Sequence, residues 1–141
     1  MREKILSKYT HRSYCIFSMK FHLILVTKYR NKCLTDEIPN SLENFIKILS
    51  AKWKVDVEEI NGESDHVHLL ISTEPSLTLS KFIENLKAVT SRRLHENYSQ
   101  HFKKYYWGTN SIWSRSYCLI SVGGAPLEIL REYINTQQRP E

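Results

Sequence analysis

The residues of this 141-residue chain best suited to chemistry are two histidines one position apart, His66 and His68 in "DHVHLLIS", and a tyrosine and a glutamine four apart, Tyr133 and Gln137 in "REYINTQQ". Side chains alternate along an extended strand, so both imidazoles share one face, about 7 Å apart at the backbone, while Val67, Leu69 and Ile71 take the other. Neutral imidazole is a good ligand for divalent ions, and two ligands from one strand leave coordination positions for others. The same alternation puts Asp65 on the opposite face, away from any ion the pair holds. The plainer alternative is a solvated strand face that carries two polar rings.

On a helix Tyr133 and Gln137 stand one turn apart, beside an apolar stripe of Leu127, Leu130 and Ile134. A phenol and an amide so placed suit joint work at a bound ion, the amide oxygen ligating and the phenol attacking. A half-buried tyrosine with a solvated glutamine is the simpler account of the same spacing. Lys28 and Arg30 in "TKYRNK", with Lys87 and Arg92 on a helix further along, suit phosphate contacts near aromatic stacking positions. They equally suit the charged outer face of any soluble domain.

The elements that must position these residues follow from periodicity. Cys15 to Lys28 has no glycine or proline and is rich in β-branched and aromatic residues, which predicts a long strand. Its second half is apolar on both faces, which predicts a central place in the sheet. Leu42, Phe45, Ile46, Leu49 and Trp53 recur at helical spacing over Ser41 to Lys54. Val55 to Ile60 alternates as a short strand, Asn61-Gly62 signals a turn that extends through Glu63 and Ser64 as a hairpin loop of irregular length, and the histidine strand follows. Leu79, Phe82, Ile83, Leu86 and Val89 mark a second amphipathic helix within Ser76 to Leu94. The segment "HENYSQHFKKYYWGTN" has no stable period. After it come a strand in "SIWSRSYCLISVG", the pair Gly123-Gly124, and a terminal helix from about Pro126 to Gln138. This order predicts an α+β, ferredoxin-like chain with its last elements modified: a mainly antiparallel sheet with helices on one face.

Length fits one domain spanning 1–141, large enough to hold a core without disulfides or a structural metal. Cys15, Cys33 and Cys118 are odd in number and far apart, unlike a disulfide framework or a zinc knuckle. No secretory signal or membrane span is expected, which points to the cytoplasm. The formal net charge of +5 permits a polyanionic partner and argues against an acidic one.

Taken together, "TKYR", "DHVHLLI", "SVGG" and "REYINTQ" in this order resemble the single-tyrosine HUH transposases of small bacterial and archaeal insertion sequences, over nearly the whole chain. The resemblance implies that His66 and His68 bind a divalent ion, Mg2+ or Mn2+, and that Gln137 completes the site. It implies Tyr133 as nucleophile, with Tyr117 as the rival candidate. It further implies cleavage and rejoining of single-stranded DNA at hairpin-marked element ends through a covalent 5′-phosphotyrosine, with Lys28, Arg30, Lys87 and Arg92 touching the DNA. The implied assembly is a homodimer in which the tyrosine helix can complete the partner's site, working in a bacterial or archaeal cytoplasm.

Two other readings stay open on the residues alone. A ferredoxin-like nucleic-acid-binding module would want exposed phenylalanine or tyrosine where His66 and His68 stand. A metal-dependent phosphodiester hydrolase would use an activated water and leave Tyr133 dispensable.

Overall fold

The computed structural model describes residues 19–122 and 127–136. Four strands form one antiparallel sheet: β1 (Met19–Thr27), β2 (Asp56–Gly62), β3 (His66–Thr73) and β4 (Trp113–Ser121), in the order β2-β3-β1-β4. Between them run α1 (Ile38–Lys52), α2 (Leu79–Asn97) and the short α3 (Ser99–Lys103), and α4 (Leu127–Thr136) follows β4. This is the expected ferredoxin-like α+β arrangement, with β1 at the centre.

The two faces of β1 explain the layering. Phe21, Leu23 and Leu25 point to one side, where they join Val67, Leu69 and Ile71 of β3 in the main core. Leu42, Ile46 and Leu49 of α1 and Phe82, Ile83 and Leu86 of α2 cover that side. Each such side chain taken out of water stabilises the fold by roughly 2 kcal/mol before entropy is counted. Trp53 ties the two helices, its indole N–H donating to Asn85 Oδ1 at 3.1 Å. Ile24 and Val26 point to the other side, where Cys118, Ile120, Tyr133 and Ile134 pack on them. The terminal helix therefore lies on the sheet face opposite α1 and α2.

Element ends differ from the periodicity in informative ways. Of the first predicted strand, residues 15–18 lie outside the described residues, and Lys28 begins a 3-10 turn that ends at Arg30. The helices start at Ile38 and Leu79 and stop at Lys52 and Asn97, each two or three residues from the expected bounds. Asn61 and Gly62 are not a turn: they remain in the ladder, opposite His68 and Val67. The reversal falls at Glu63 and Ser64, the second half of the expected loop, where the Glu63 N–H donates to the His66 carbonyl at 2.9 Å. Gly123-Gly124 lies outside the described residues.

At this end of the sheet two turns are stitched together. The Thr27 and Leu34 amides donate to the Asp65 and Ser64 carbonyls, both at 2.9 Å. Tyr29 and Arg30 both take left-handed backbone angles, with φ of 58° and 55°. For non-glycine residues such angles cost about 1 kcal/mol or more each, so surrounding contacts must hold them.

Candidate metal and tyrosine site

Register sets the site. His66 and His68 stand opposite Val26 and Ile24 of β1, and on their strand they alternate with the buried Val67 and Leu69. Both rings thus emerge on the face that carries α4. Tyr133 packs on Ile24 and Val26, and its hydroxyl donates to Ser116 Oγ of β4 at 3.2 Å. His66 and His68 of β3 and Tyr133 of α4 are therefore brought to one face by two different elements. Tyr117 is one residue out of phase with Ser116 and packs against the main core on the other face, with Lys87 Nζ 5.8 Å from its ring centre. Gln137 lies outside the described residues.

Asp65 is not turned away as alternation predicts. Strand β3 begins only at His66, so the strand rule does not govern Asp65. Its Oδ1 accepts from His66 Nδ1–H at 2.9 Å, and its Oδ2 accepts from Arg30 Nε–H at 2.8 Å. Burial alone would raise the Asp65 carboxyl, but the hydrogen bonds from His66 and Arg30 outweigh it and hold the group below the usual carboxylate range. A carboxylate on Nδ1 fixes the tautomer of His66, leaving Nε2 with its lone pair for a ligand.

His68 has a different neighbour. Its Nε2 lies 2.9 Å from Nδ1 of His22, with ring centres 5.1 Å apart. Burial first, then the His22 charge, pushes the His68 imidazole below the usual histidine range. The neutral, ligating form of His68 is thereby favoured.

This donor chemistry fits a divalent ion: two imidazoles on one face, His66 with its orientation fixed by a carboxylate and His68 held toward its neutral form. Among the described residues, no three histidine, cysteine, aspartate or glutamate side chains form a cage by themselves. The remaining positions would fall to other donors, such as an amide or substrate oxygens.

The basic residues fall in two places. Lys28 and Arg30 form the turn after β1, where the Arg30 side chain is only 16% exposed and bound to Asp65. Lys87 and Arg92 belong to α2, on the far side of the sheet. Lys87 Nζ donates to the Arg115 carbonyl at 3.1 Å, and Arg92 pairs with Glu96 at 3.7 Å. Arg92 also lines an open groove of about 650 Å³ with His95, Lys103 and Trp107, the last 81% exposed. Sequence reasoning set Asp65 on the opposite face and passed over His22, although strand parity in "KFHLILV" could have placed His22 on the face of Ile24 and Val26.

With this geometry in place, the comparisons are direct. The profile of the family described as "Transposase IS200 like" matches residues 15–137. The ISDra2 transposase TnpA of Deinococcus radiodurans is 31% identical over 126 residues, 89% of each chain. This chain belongs to the IS200-like transposase family. A crystal structure of a protein from the same species, assigned there as a transposase, superposes with a TM-score of 0.80 at 26% identity, over 92% of this chain and 97% of that one. A REP-associated tyrosine transposase bound to a REP hairpin shares the fold, with a TM-score of 0.50 at 11% identity over 83% of this chain and 62% of its own.

Proposed function

We propose that the chain cuts and rejoins single-stranded DNA at the hairpin-marked ends of a mobile element, with Tyr133 as the nucleophile. The observation that carries this reading is the Tyr133 hydroxyl on the histidine face, while Tyr117 is turned into the opposite side of the sheet. His66, His68 and Gln137 would hold Mg2+ or Mn2+, which when bound polarises the scissile phosphodiester and offsets its charge.

The protein's own residues supply the rest. Ser116 Oγ accepts from the Tyr133 phenol and so aims its oxygen along the sheet face. That oxygen gives up its proton to solvent as it attacks phosphorus, the bond from phosphorus to the 3′-oxygen breaks, and the 3′-oxygen leaves as a hydroxyl by taking up a proton from solvent, so one proton is lost and one gained. The 5′-phosphate stays on Tyr133 as a phosphodiester, so a different 3′-hydroxyl can reverse the step and join new ends without ATP. Asp65 keeps the His66 ring in place throughout, and Arg30 keeps Asp65.

For the DNA, Arg92 and the exposed Trp107 offer a cation and a stacking surface in one groove, and Lys87 lies on the same helix as Arg92. Lys28 stands at the histidine end of β1, close to where a strand must enter. Arg30 acts on the site through Asp65. A homodimer belongs to the same proposal, since β4 is a nine-residue edge strand with a backbone edge that a second sheet can meet.

The test is a denaturing gel of protein with labelled single-stranded DNA carrying hairpin ends, in Mn2+ or Mg2+ and then in chelator. An ion-dependent protein–DNA adduct that disappears in Tyr133→Phe is the expected result. Normal cleavage by that variant, or cutting with no adduct, would move the reaction to an activated water.

A further inference from the structure

Tyr106 belongs to the stretch that has no readable period, and the mechanism above gives it no task. It is 3% exposed and packs in the main core, yet its hydroxyl donates out of that core to the Lys28 carbonyl at 2.8 Å. Cys33 Sγ, 3.7 Å from the same hydroxyl, is left to donate to the phenol oxygen. Burial pushes the Tyr106 phenol well above its ordinary range, so the hydroxyl keeps its proton and stays a donor.

Lys28 is clamped at both ends by the segment that follows α3. Its N–H donates to the Ile112 carbonyl at 2.8 Å, and its carbonyl accepts from Tyr106 and from the Asn31 N–H at 3.3 Å, the bond that closes the 3-10 turn. A carbonyl with both lone pairs in use has one direction left to it, which fixes the plane of the Lys28–Tyr29 peptide. From that plane the chain enters the left-handed angles of Tyr29 and Arg30. Arg30 depends on the turn for its aim: Nε donates to Asp65, while Nη1 is buried with no hydrogen-bond partner among the described residues. A single bond at the end of a long side chain does not hold its place if the backbone swings. Asp65 then passes that position on to His66 Nδ1.

We propose that Tyr106 is a positioning residue for His66, acting through the Lys28 carbonyl, the Arg30 turn and Asp65. A tyrosine that only filled space in the core would serve as well without its oxygen. Here the oxygen sets the turn, the turn sets the guanidinium, and the guanidinium sets the carboxylate that orients the imidazole. This inference rests on the proposed role of His66 in the reaction and adds to it the residue that sets the ring from the main-core side of the sheet.

The experiment records nitrogen NMR spectra of the histidine rings in the whole protein, without DNA or added ion, for wild type, Tyr106→Phe and Asp65→Asn. Phenylalanine keeps the ring in the core and removes only the hydroxyl, while Asp65→Asn shows the change caused by altering the direct partner. Wild type is expected to show His66 with a protonated Nδ1, a bare Nε2 and a slowly exchanging Nδ1 proton. Tyr106→Phe is expected to move the His66 nitrogens toward those of a ring with mixed tautomers and to speed exchange of the Nδ1 proton about tenfold, with the His22 and His68 signals in place. Adduct formation at saturating hairpin DNA is expected to slow about tenfold in the same variant. A wild-type His66 signal in Tyr106→Phe, with only a lower melting temperature, overturns the proposal and leaves Tyr106 a structural tie. A change shared equally by His22 and His68 overturns it as a general loosening. A displaced His66 signal with an unchanged adduct rate supports the positioning and overturns instead the role given to His66 in the reaction. Should Tyr106→Phe lack a folded circular-dichroism spectrum, proton exchange of wild type across a urea series decides. The Tyr106 hydroxyl, the Asn31 amide and the His66 Nδ1 proton are expected to open together with one urea dependence. A His66 proton that opens independently of the Tyr106 hydroxyl overturns the proposal.

Discussion

Asp65 acts at one remove from the reaction: it fixes which nitrogen of His66 carries hydrogen, and Arg30 in turn fixes Asp65. Loss of such an orienting partner typically lowers metal affinity or activity by about 10–100-fold. Asp65→Asn keeps the shape and removes the charge, so it is expected to weaken Mn2+ binding about tenfold by calorimetry while the fold survives. An unchanged affinity, with only a lower melting temperature, would reduce Asp65 to a structural tie. The shared face of His66 and His68 was legible because alternation along one strand is local, whereas the place of Tyr133 beside them came only through the family resemblance. Asp65 and His22 were not: one depends on where a strand begins, the other on a register between residues 46 positions apart.

At the scale of elements, α2 carries a pH-sensitive group of its own. Among the described residues His95 Nε2 is buried without a hydrogen-bond partner, the ring packs 5.5 Å from Phe102, and burial holds its pKa below the ordinary histidine value of 6.5. The sign follows directly. Once pH falls below about 6.5 the unfolded chain binds a proton that the folded chain resists, so stability declines on acidification and is regained above that value. Urea unfolding at pH 7.5 and 5.5 is expected to show a smaller acid loss for His95→Gln than for wild type. An identical loss would place the titration elsewhere, His68 being the other imidazole held low. Helices and strands were legible here because the apolar periods of α1, α2 and β1 are strong. The turn was begun two residues too early, at Asn61-Gly62, because cross-strand pairing with β3 outweighs the local preference of those two residues.

For the whole molecule, the sheet separates two tasks. Chemistry is proposed on the α4 face, while Arg92, Lys103 and Trp107 gather on the side of α2 and α3. A phosphate contact made by one arginine should release about one counterion on binding. Arg92→Ala is therefore expected to weaken single-stranded DNA binding and to lower the slope of log affinity against log salt by about one, leaving adduct chemistry intact on saturating DNA. A slope equal to wild type, measured by anisotropy across a salt series, would remove Arg92 from the DNA path. Net charge allowed a polyanionic partner in advance, but the groove joins residues from the one stretch that had no readable period.

The two stitched turns at the histidine end have a consequence for how the site comes into being. Thr27 and Leu34 reach the turn before β3 through backbone bonds, and Arg30 reaches it through a side chain. None of these contacts exists until β1 and β3 have met in register, because the partners are at least 30 positions apart in sequence. Arg30 and Tyr29 then keep left-handed angles that an isolated turn would abandon. The orientation of His66 is accordingly a late product of folding rather than a property of its own strand. On the proposed ion-dependent reading, a partly folded chain holding both histidines would be a poor chelator and would not act on DNA before its sheet is complete.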